Sequence, residues 1–294
     1  MFSVEQASSE EQAVPGHQAV RGRLHGMWAS VASAWQEHAD YVDERSRVVT
    51  RRLIELAELA PGDRVLELAC GPGGLGLAAA RRVAPGGEVV LSDLAEQMSA
   101  VAISRARERG LTNVSARVLD LEAIDEPDGA YNAVLCRDGL MFALDPAAAA
   151  RELHRVLRPG GRYALAVWGP RERNPWLAIL LDALSDQTGA PVPPPGVPGP
   201  FALQDVEKLS SILGAAGLEV AVDELPVPMR VRSFEEWWAR TCALAGPVAK
   251  LVNSLQPQVS DAIRTKARKA SEPYSTPFGL HFPGLQLLAA GRRP

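Results

Sequence analysis

Cysteine is scarce in this chain: Cys70, Cys136 and Cys242 are the whole complement, far apart and in no CxxC or Cys/His spacing. That argues against a structural zinc site or a disulfide framework, and a reducing cytoplasm is the expected location. Net charge is small as well, −4 over 294 residues. Nucleic-acid binders carry a concentrated basic face, so none is expected here. The local run Arg264, Lys266, Arg268 and Lys269 has the spacing of one solvated helix face. Long apolar runs are missing too, and no stretch reaches the ~18 residues of a membrane span. The first twenty residues hold Glu5, Glu10 and Glu11 and no apolar run, so residues 1–20 are expected to be a flexible tail, not a secretory signal. No paired carboxylates or acidic cluster with metal-ligand spacing stands out, and no metal is expected.

What is present is an ordinary globular composition, 47% hydrophobic and 22% charged, long enough for one large α/β domain or two small ones. Residues 21–58 carry Trp28, Val31, Trp35, Ala39 and Val42 at spacings of three and four, a helical pattern. Beyond Pro61-Gly62-Asp63, β-branched runs alternate with amphipathic segments, the pattern of a doubly wound parallel sheet. Strands are predicted at Arg64 to Leu68, Glu88 to Ser92, Val114 to Leu119, Ala130 to Cys136 and Gly161 to Val167. Helices are predicted at Leu75 to Val83, Ala95 to Arg109 and Asp145 to Leu157, with Arg158-Pro159-Gly160-Gly161 as a turn.

After Trp168 the rhythm changes. A helix at Pro175 to Thr188 runs into a proline-rich stretch from Pro191 to Pro200, read as a stiff surface loop. A helix (Leu203 to Ala216), a strand broken by two prolines (Glu219 to Val231), two helices (Phe234 to Ser254 and Val259 to Ala270) and a last strand (Leu285 to Ala290) complete the reading. The expected organisation is a lid over 21–58, a core over 59–168, and a composite 169–294 of remaining strands and helical cap.

The sharpest motif is Val65-Leu66-Glu67-Leu68-Ala69-Cys70-Gly71-Pro72-Gly73-Gly74-Leu75-Gly76, a strand entering a glycine-rich turn and a helix. Gly71, Gly73 and Gly76 satisfy G-x-G-x-x-G, and Asp93 follows Gly73 by 20 residues at the end of the second strand. Alone, these facts suit a dinucleotide. Three features favour S-adenosylmethionine (SAM). Glu67 at the first strand end suits a cationic amino group and sulfonium, or the loop amides that hold them, better than a pyrophosphate. Asp120, with Leu121 after it, ends the third strand where an adenine edge can be read. About sixty residues precede the first strand, whereas dinucleotide domains often begin with it.

With these motifs stand Leu91-Ser92-Asp93-Leu94 followed by Met98, Tyr131-Asn132-Ala133-Val134, and Leu153-His154-Arg155-Val156-Leu157-Arg158-Pro159-Gly160-Gly161. Over roughly residues 25–290 the sequence resembles the class I SAM-dependent methyltransferases, particularly the branch similar to ubiquinone/menaquinone-biosynthesis methyltransferases. The resemblance implies an α/β Rossmann-like methyltransferase sheet, mostly parallel with an antiparallel last strand, carrying an N-terminal helical lid and a helical cap insertion. It implies SAM as cofactor and a small-molecule methyl acceptor. It places Gly71 and Gly73 against the methionine half, Asp93 and Leu94 at the ribose, Met98 on the adenine face, and Asp120 with Leu121 at its edge. Ala69 stands where the family usually has its first glycine. Asp93 as a helix cap and Met98 as plain core remain open alternatives.

Ligands in such sheets bind outside the carboxyl ends of the strands. The fourth strand ends in Cys136-Arg137-Asp138, followed by Gly139, Leu140, Met141 and Phe142. Arg137 is a candidate for the SAM carboxylate, an anionic acceptor or turnover; the alternative is a structural pair with Asp138. Cys136 joins the expected cofactor surroundings as a small apolar group. The acceptor pocket is expected from Trp28, Trp35 and Tyr41 of the first helix, Met141 and Phe142, Trp168, Asn174 and Trp176, and Phe201, with Trp237 and Trp238 behind them. Packing anchors are the competing reading of these rings. His38, three residues from both Trp35 and Tyr41, is the candidate general base, or else a solvated histidine. Two other functions stay open: a SAM-binding protein with non-methylating chemistry, and an NAD(P)-dependent oxidoreductase.

Overall fold

The structure is a computed structural model and describes residues 17–194 and 197–294. Residues 1–16 of the expected tail and Pro195-Gly196 of the proline-rich stretch lie outside the described residues.

Strand and helix alternate as the hydrophobic pattern requires. They run β1 (Arg64–Leu68), α4 (Gly74–Val83), β2 (Glu88–Asp93), α5 (Glu96–Glu108), β3 (Val114–Val118), β4 (Tyr131–Arg137), α6 (Pro146–Val156) and β5 (Leu157–Trp168), after three N-terminal helices, α1 (His17–Glu37), α2 (Ala39–Arg45) and α3 (Arg47–Leu56). Then come α7 (Pro175–Thr188), α8 (Val206–Ala215), β6 (Ala221–Pro226), β7 (Met229–Val231), α9 (Phe234–Leu244), α10 (Pro247–Ser254), α11 (Pro257–Ser271), β8 (Ser275–Thr276), β9 (Gly279–Phe282) and β10 (Leu285–Arg292).

Seven strands form one sheet in the order β3-β2-β1-β4-β5-β10-β6. The five from β3 to β5 are parallel, and β10 is antiparallel to both β5 and β6. Parallel strands covered on both faces are largely apolar, and the valine and leucines of β1 show why. Val65 packs with Val49, Leu53, Leu75 and Val89 on one face, while Leu66 and Leu68 pack with Leu153, Leu165 and Leu209 on the other. Burying one such leucine stabilises the fold by roughly 1.5–3 kcal/mol. Helix α6 starts sharply because Asp145 Oδ1 accepts from the amides of Ala147 and Ala148, with Pro146 in the first turn.

Several sequence expectations need correction. Residues 21–58 are not one helical run, because the chain turns at His38 and Ser46. On α2, Asp43 accepts from Arg105 of α5, 2.6 Å away. The segment 219–231 is split: β6 joins the large sheet, whereas β7 pairs with β9 in a three-stranded sheet with β8 that the sequence reading lacked. Two prolines, Pro226 and Pro228, flank the break and remove ladder donors there. Helix 234–254 is two helices, broken where Gly246 adopts φ +55° ahead of Pro247. The turn expected at 158–161 falls inside β5, where the register with β4 jumps from Tyr131/Leu157 to Ala133/Arg162 around Gly160 at φ +73°. No helix among the described residues is long and apolar enough to cross a membrane.

Candidate active site

The order of strands reverses between β1 and β4: β2 and β3 lie to one side of β1, β4 and β5 to the other. A crevice is expected at such a switch point, outside the carboxyl ends of the strands. There the structure has a cavity of about 490 Å³, within the ordinary range for small-molecule sites.

Its floor is the loop after β1. Ala69 has φ +51°, in the left-handed region that favours glycine, and Gly71 follows at φ +52°. A side chain at Gly139 would collide with the Ala69 methyl, so Gly139 makes room for the alanine that replaces the expected glycine. Gly73, at φ +83°, packs against Ala102 and Leu91 and does not line the cavity: it shapes the turn from beneath.

Asp93 closes one side. Its Oδ2 accepts from the Gly71 amide at 3.0 Å and its Oδ1 from the Ala95 amide at 2.9 Å. Burial raises its pKa, against the pull of those amides. It is therefore both a loop tie and a cavity wall. Leu94, Met98 and Leu121 line the same end, and Met98 is also packed with Val31, Ala32 and Ala95. Asp120 is held by Arg21 of α1 at 2.8 Å, and Arg21 also pairs with Glu122. The ends of β3 and α1 are thereby pinned together over the cavity, a link the sequence reading missed because these residues lie about a hundred positions apart.

Glu67 stands apart from the cavity. It is 1% exposed, and its Oε2 accepts from the Gly76 amide at 2.8 Å, satisfying a donor in the first turn of α4. Of its two sequence roles, the tie to the loop amides is the one its geometry allows. Burial pushes its pKa up to about 8. The folded chain then keeps this proton up to about pH 8, whereas an unfolded glutamate releases it near 4.5. Folded protein binds more protons across that window, so stability falls as pH rises through it. Glu67→Gln removes the effect while its amide oxygen still accepts from Gly76. Melting temperature measured from pH 5 to 8 is expected to fall less steeply in the variant. Equal slopes would show that Glu67 is already ionised in the folded chain.

Arg137 lines the cavity beside the loop and donates from Nη1 to Thr50 Oγ1 at 2.7 Å. Asp138 takes a different partner, Gln286 Nε2 at 2.6 Å, so the structural Arg137–Asp138 pair is not formed. Cys136 is 3% exposed and outside the lining, and burial pushes its thiol up to about 12; the Cys70 thiol is likewise raised by burial. Neither is a thiolate at neutral pH.

Away from the loop the walls turn apolar. Tyr41, Met141, Phe142, Trp168 and Trp176 line the cavity there, whereas Trp35 lines it against Gly71 of the loop. Phe201 does not: its ring lies beneath Arg171, outside the cavity. Nor does His38, at the junction of α1 and α2. Trp237 is fully buried and donates to the Trp176 carbonyl at 2.9 Å, making it a packing anchor, and it packs edge-on to Trp238. Asn174 is an anchor too, bonding the Leu285 backbone from both ends of its amide. Sequence reading missed Arg45, Thr241 and Gln286. Arg45 alone had a signal, four residues after Tyr41 on one helical face.

Residues 65–161 match the family described as a methyltransferase domain. The chain is 40% identical to a nocamycin O-methyltransferase from Saccharothrix syringae over 40% of its own length and 42% of that relative. It is 35% identical to a ubiquinone/menaquinone biosynthesis C-methyltransferase from Hydrogenovibrio crunogenus over 55% of its length and 65% of that relative. It therefore spans roughly two fifths to two thirds of these curated relatives. Among solved structures it is similar to the [4+2]-cyclase SpnF, with TM-score 0.54 and 25% identity, covering 84% of this chain and 80% of that one. Strand order, glycine loop and family match agree over this stretch: residues 65–161 are similar to methyltransferase domains, on a sheet of the Rossmann-like kind.

Proposed function

We propose that the protein binds SAM between the β1 loop, Asp93 and Asp120, and transfers its methyl group to an O, N or C atom of a small hydrophobic or aromatic metabolite. The carrying observation is that one continuous cavity joins the loop end to the aromatic end. When bound, SAM supplies a methyl group made electrophilic by the neighbouring sulfonium. The chain's own residues fit that molecule. Asp93 offers a carboxylate for ribose hydroxyls, Arg137 a guanidinium for the carboxylate, and Ala69 and Gly71 let the backbone come close.

Catalysis on this reading is alignment and exclusion of water. Helix α1 closes the cavity through Arg21 on Asp120, and Trp28 packs edge-on against Phe142 with ring centroids 5.1 Å apart. The aromatic walls favour a cation in the adjoining space. His38 is given no step, and the pH–rate profile of His38→Gln is expected to match that of the unmodified protein.

A second reading, a SAM-binding fold with non-methylating chemistry, is favoured by the likeness to a chain named a cyclase. Release of S-adenosylhomocysteine across a panel of phenols, quinones and amines separates the two. Acceptor-dependent release supports methyl transfer. Tight SAM binding without release on any member of the panel supports the second reading instead.

A further inference from the structure

The part of the cavity away from the loop leaves one half-buried charge without a role. Arg45 ends α2 and lines the far part of the cavity. Its guanidinium lies 4.0 Å from the ring centroid of Trp176 and 5.3 Å from that of Trp168. Its Nη2 is buried with no hydrogen-bond partner among the described residues. Arginine keeps its proton under all ordinary conditions, so a desolvated guanidinium without a partner is costly unless something else supplies one. Asp138 faces it electrostatically, but the Oδ1 of that carboxylate is occupied by Gln286 at 2.6 Å.

Two more buried polar atoms at this end lack partners, Trp176 Nε1 and Thr241 Oγ1, and both residues line the cavity. Trp176 is held in place by the bond from Trp237 to its carbonyl and by its edge-on packing with Trp168, 5.0 Å between centroids. Around them the walls are apolar, with Leu177, Leu181 and Val248. A fixed indole N–H beside an unpaired guanidinium, in apolar surroundings, complements a delocalised oxyanion on an apolar body.

We propose that Arg45 and Trp176 Nε1 bind an anionic oxygen of the methyl acceptor, which makes that acceptor a hydrophobic or aromatic acid: an ionised phenol, an enolate or a carboxylate. The inference rests on the cavity being the acceptor site of the reading above, and its test is separable from that reading. Affinities of the full chain are measured by calorimetry for 4-nitrophenolate against its neutral methyl ether, and for 4-nitrobenzoate against its methyl ester. S-adenosylhomocysteine is titrated separately.

The expected result is a preference for at least one anion over its neutral partner by about tenfold or more. Which of the two pairs shows it tells phenolate from carboxylate. Arg45→Met should level that preference and keep the affinity for the neutral partner and for S-adenosylhomocysteine, in a chain that still folds. Trp176→Phe, which removes the N–H and keeps an aromatic ring, should reduce the preference in part, and serves where Arg45→Met fails to fold. No preference for either anion, or a preference that survives Arg45→Met, overturns the inference. If S-adenosylhomocysteine fails to bind while the anion preference and its loss stand, the inference holds and the cofactor reading falls.

Discussion

Asp93→Ala is expected to lower the affinity for SAM by about ten- to a hundredfold, the worth of hydrogen bonds to a charged group, in a chain that still folds. Two effects add. The carboxylate lining the cavity is lost, and the amides of Gly71 and Ala95 lose the acceptor that holds the loop in its open shape. Asp93→Asn refines the result. Both carboxylate oxygens accept from amides, so the asparagine NH2 must face one N–H donor, and this variant is expected to be impaired as well. Calorimetric titration of folded variants with SAM reads both outcomes. Unchanged affinity in Asp93→Ala would reduce Asp93 to a loop tie and a turn cap.

The second large effect is expected at Arg137. Arg137→Ala should weaken SAM binding and lower kcat/KM by about tenfold or more, with a small change in melting temperature. Its one hydrogen bond to a described residue is to Thr50, and surface-type substitutions at a cavity mouth cost little folding energy. Thr50→Val is the control, because it deletes that bond and keeps the guanidinium. If Arg137 acted by fastening α3, Thr50→Val would reproduce the loss. If Arg137→Ala lowers the melting temperature sharply while turnover per folded molecule is intact, Arg137 is structural.

The parts of this protein legible in its sequence are those written in local chain. The run from Val65 to Gly76 encodes strand, turn and helix within twelve residues, and β1 spans Arg64–Leu68 as the pattern requires. Asp93 could be placed because a strand end is a local feature. Glu67 could be placed at the loop, but its direction could not, since burial against α4 decides that it faces Gly76 and not the cavity.

Gln286 shows the limit from the other side. It lies 148 positions from Asp138 and meets it because β10 runs antiparallel, which brings its first residues to the carboxyl ends of the parallel strands. No periodicity carries that information. Arg45 is a half-case: its spacing puts it on one helical face with Tyr41, but nothing local places that face over the tryptophans. Helical spacing groups Trp35, His38 and Tyr41, yet His38 is not among the lining residues, while Arg45 lies over the tryptophans. The small sheet of β7, β8 and β9 escaped detection because strands of two to four residues leave no countable alternation.

The central claim is that the crevice at the β1/β4 switch point takes SAM and not a dinucleotide. Titration of the purified full chain with S-adenosylhomocysteine and, separately, with NADH tests it most directly. The account predicts saturable 1:1 binding of S-adenosylhomocysteine, weakened in Asp93→Ala, and no saturable binding of NADH. Saturable binding of NADH with none of S-adenosylhomocysteine would contradict it.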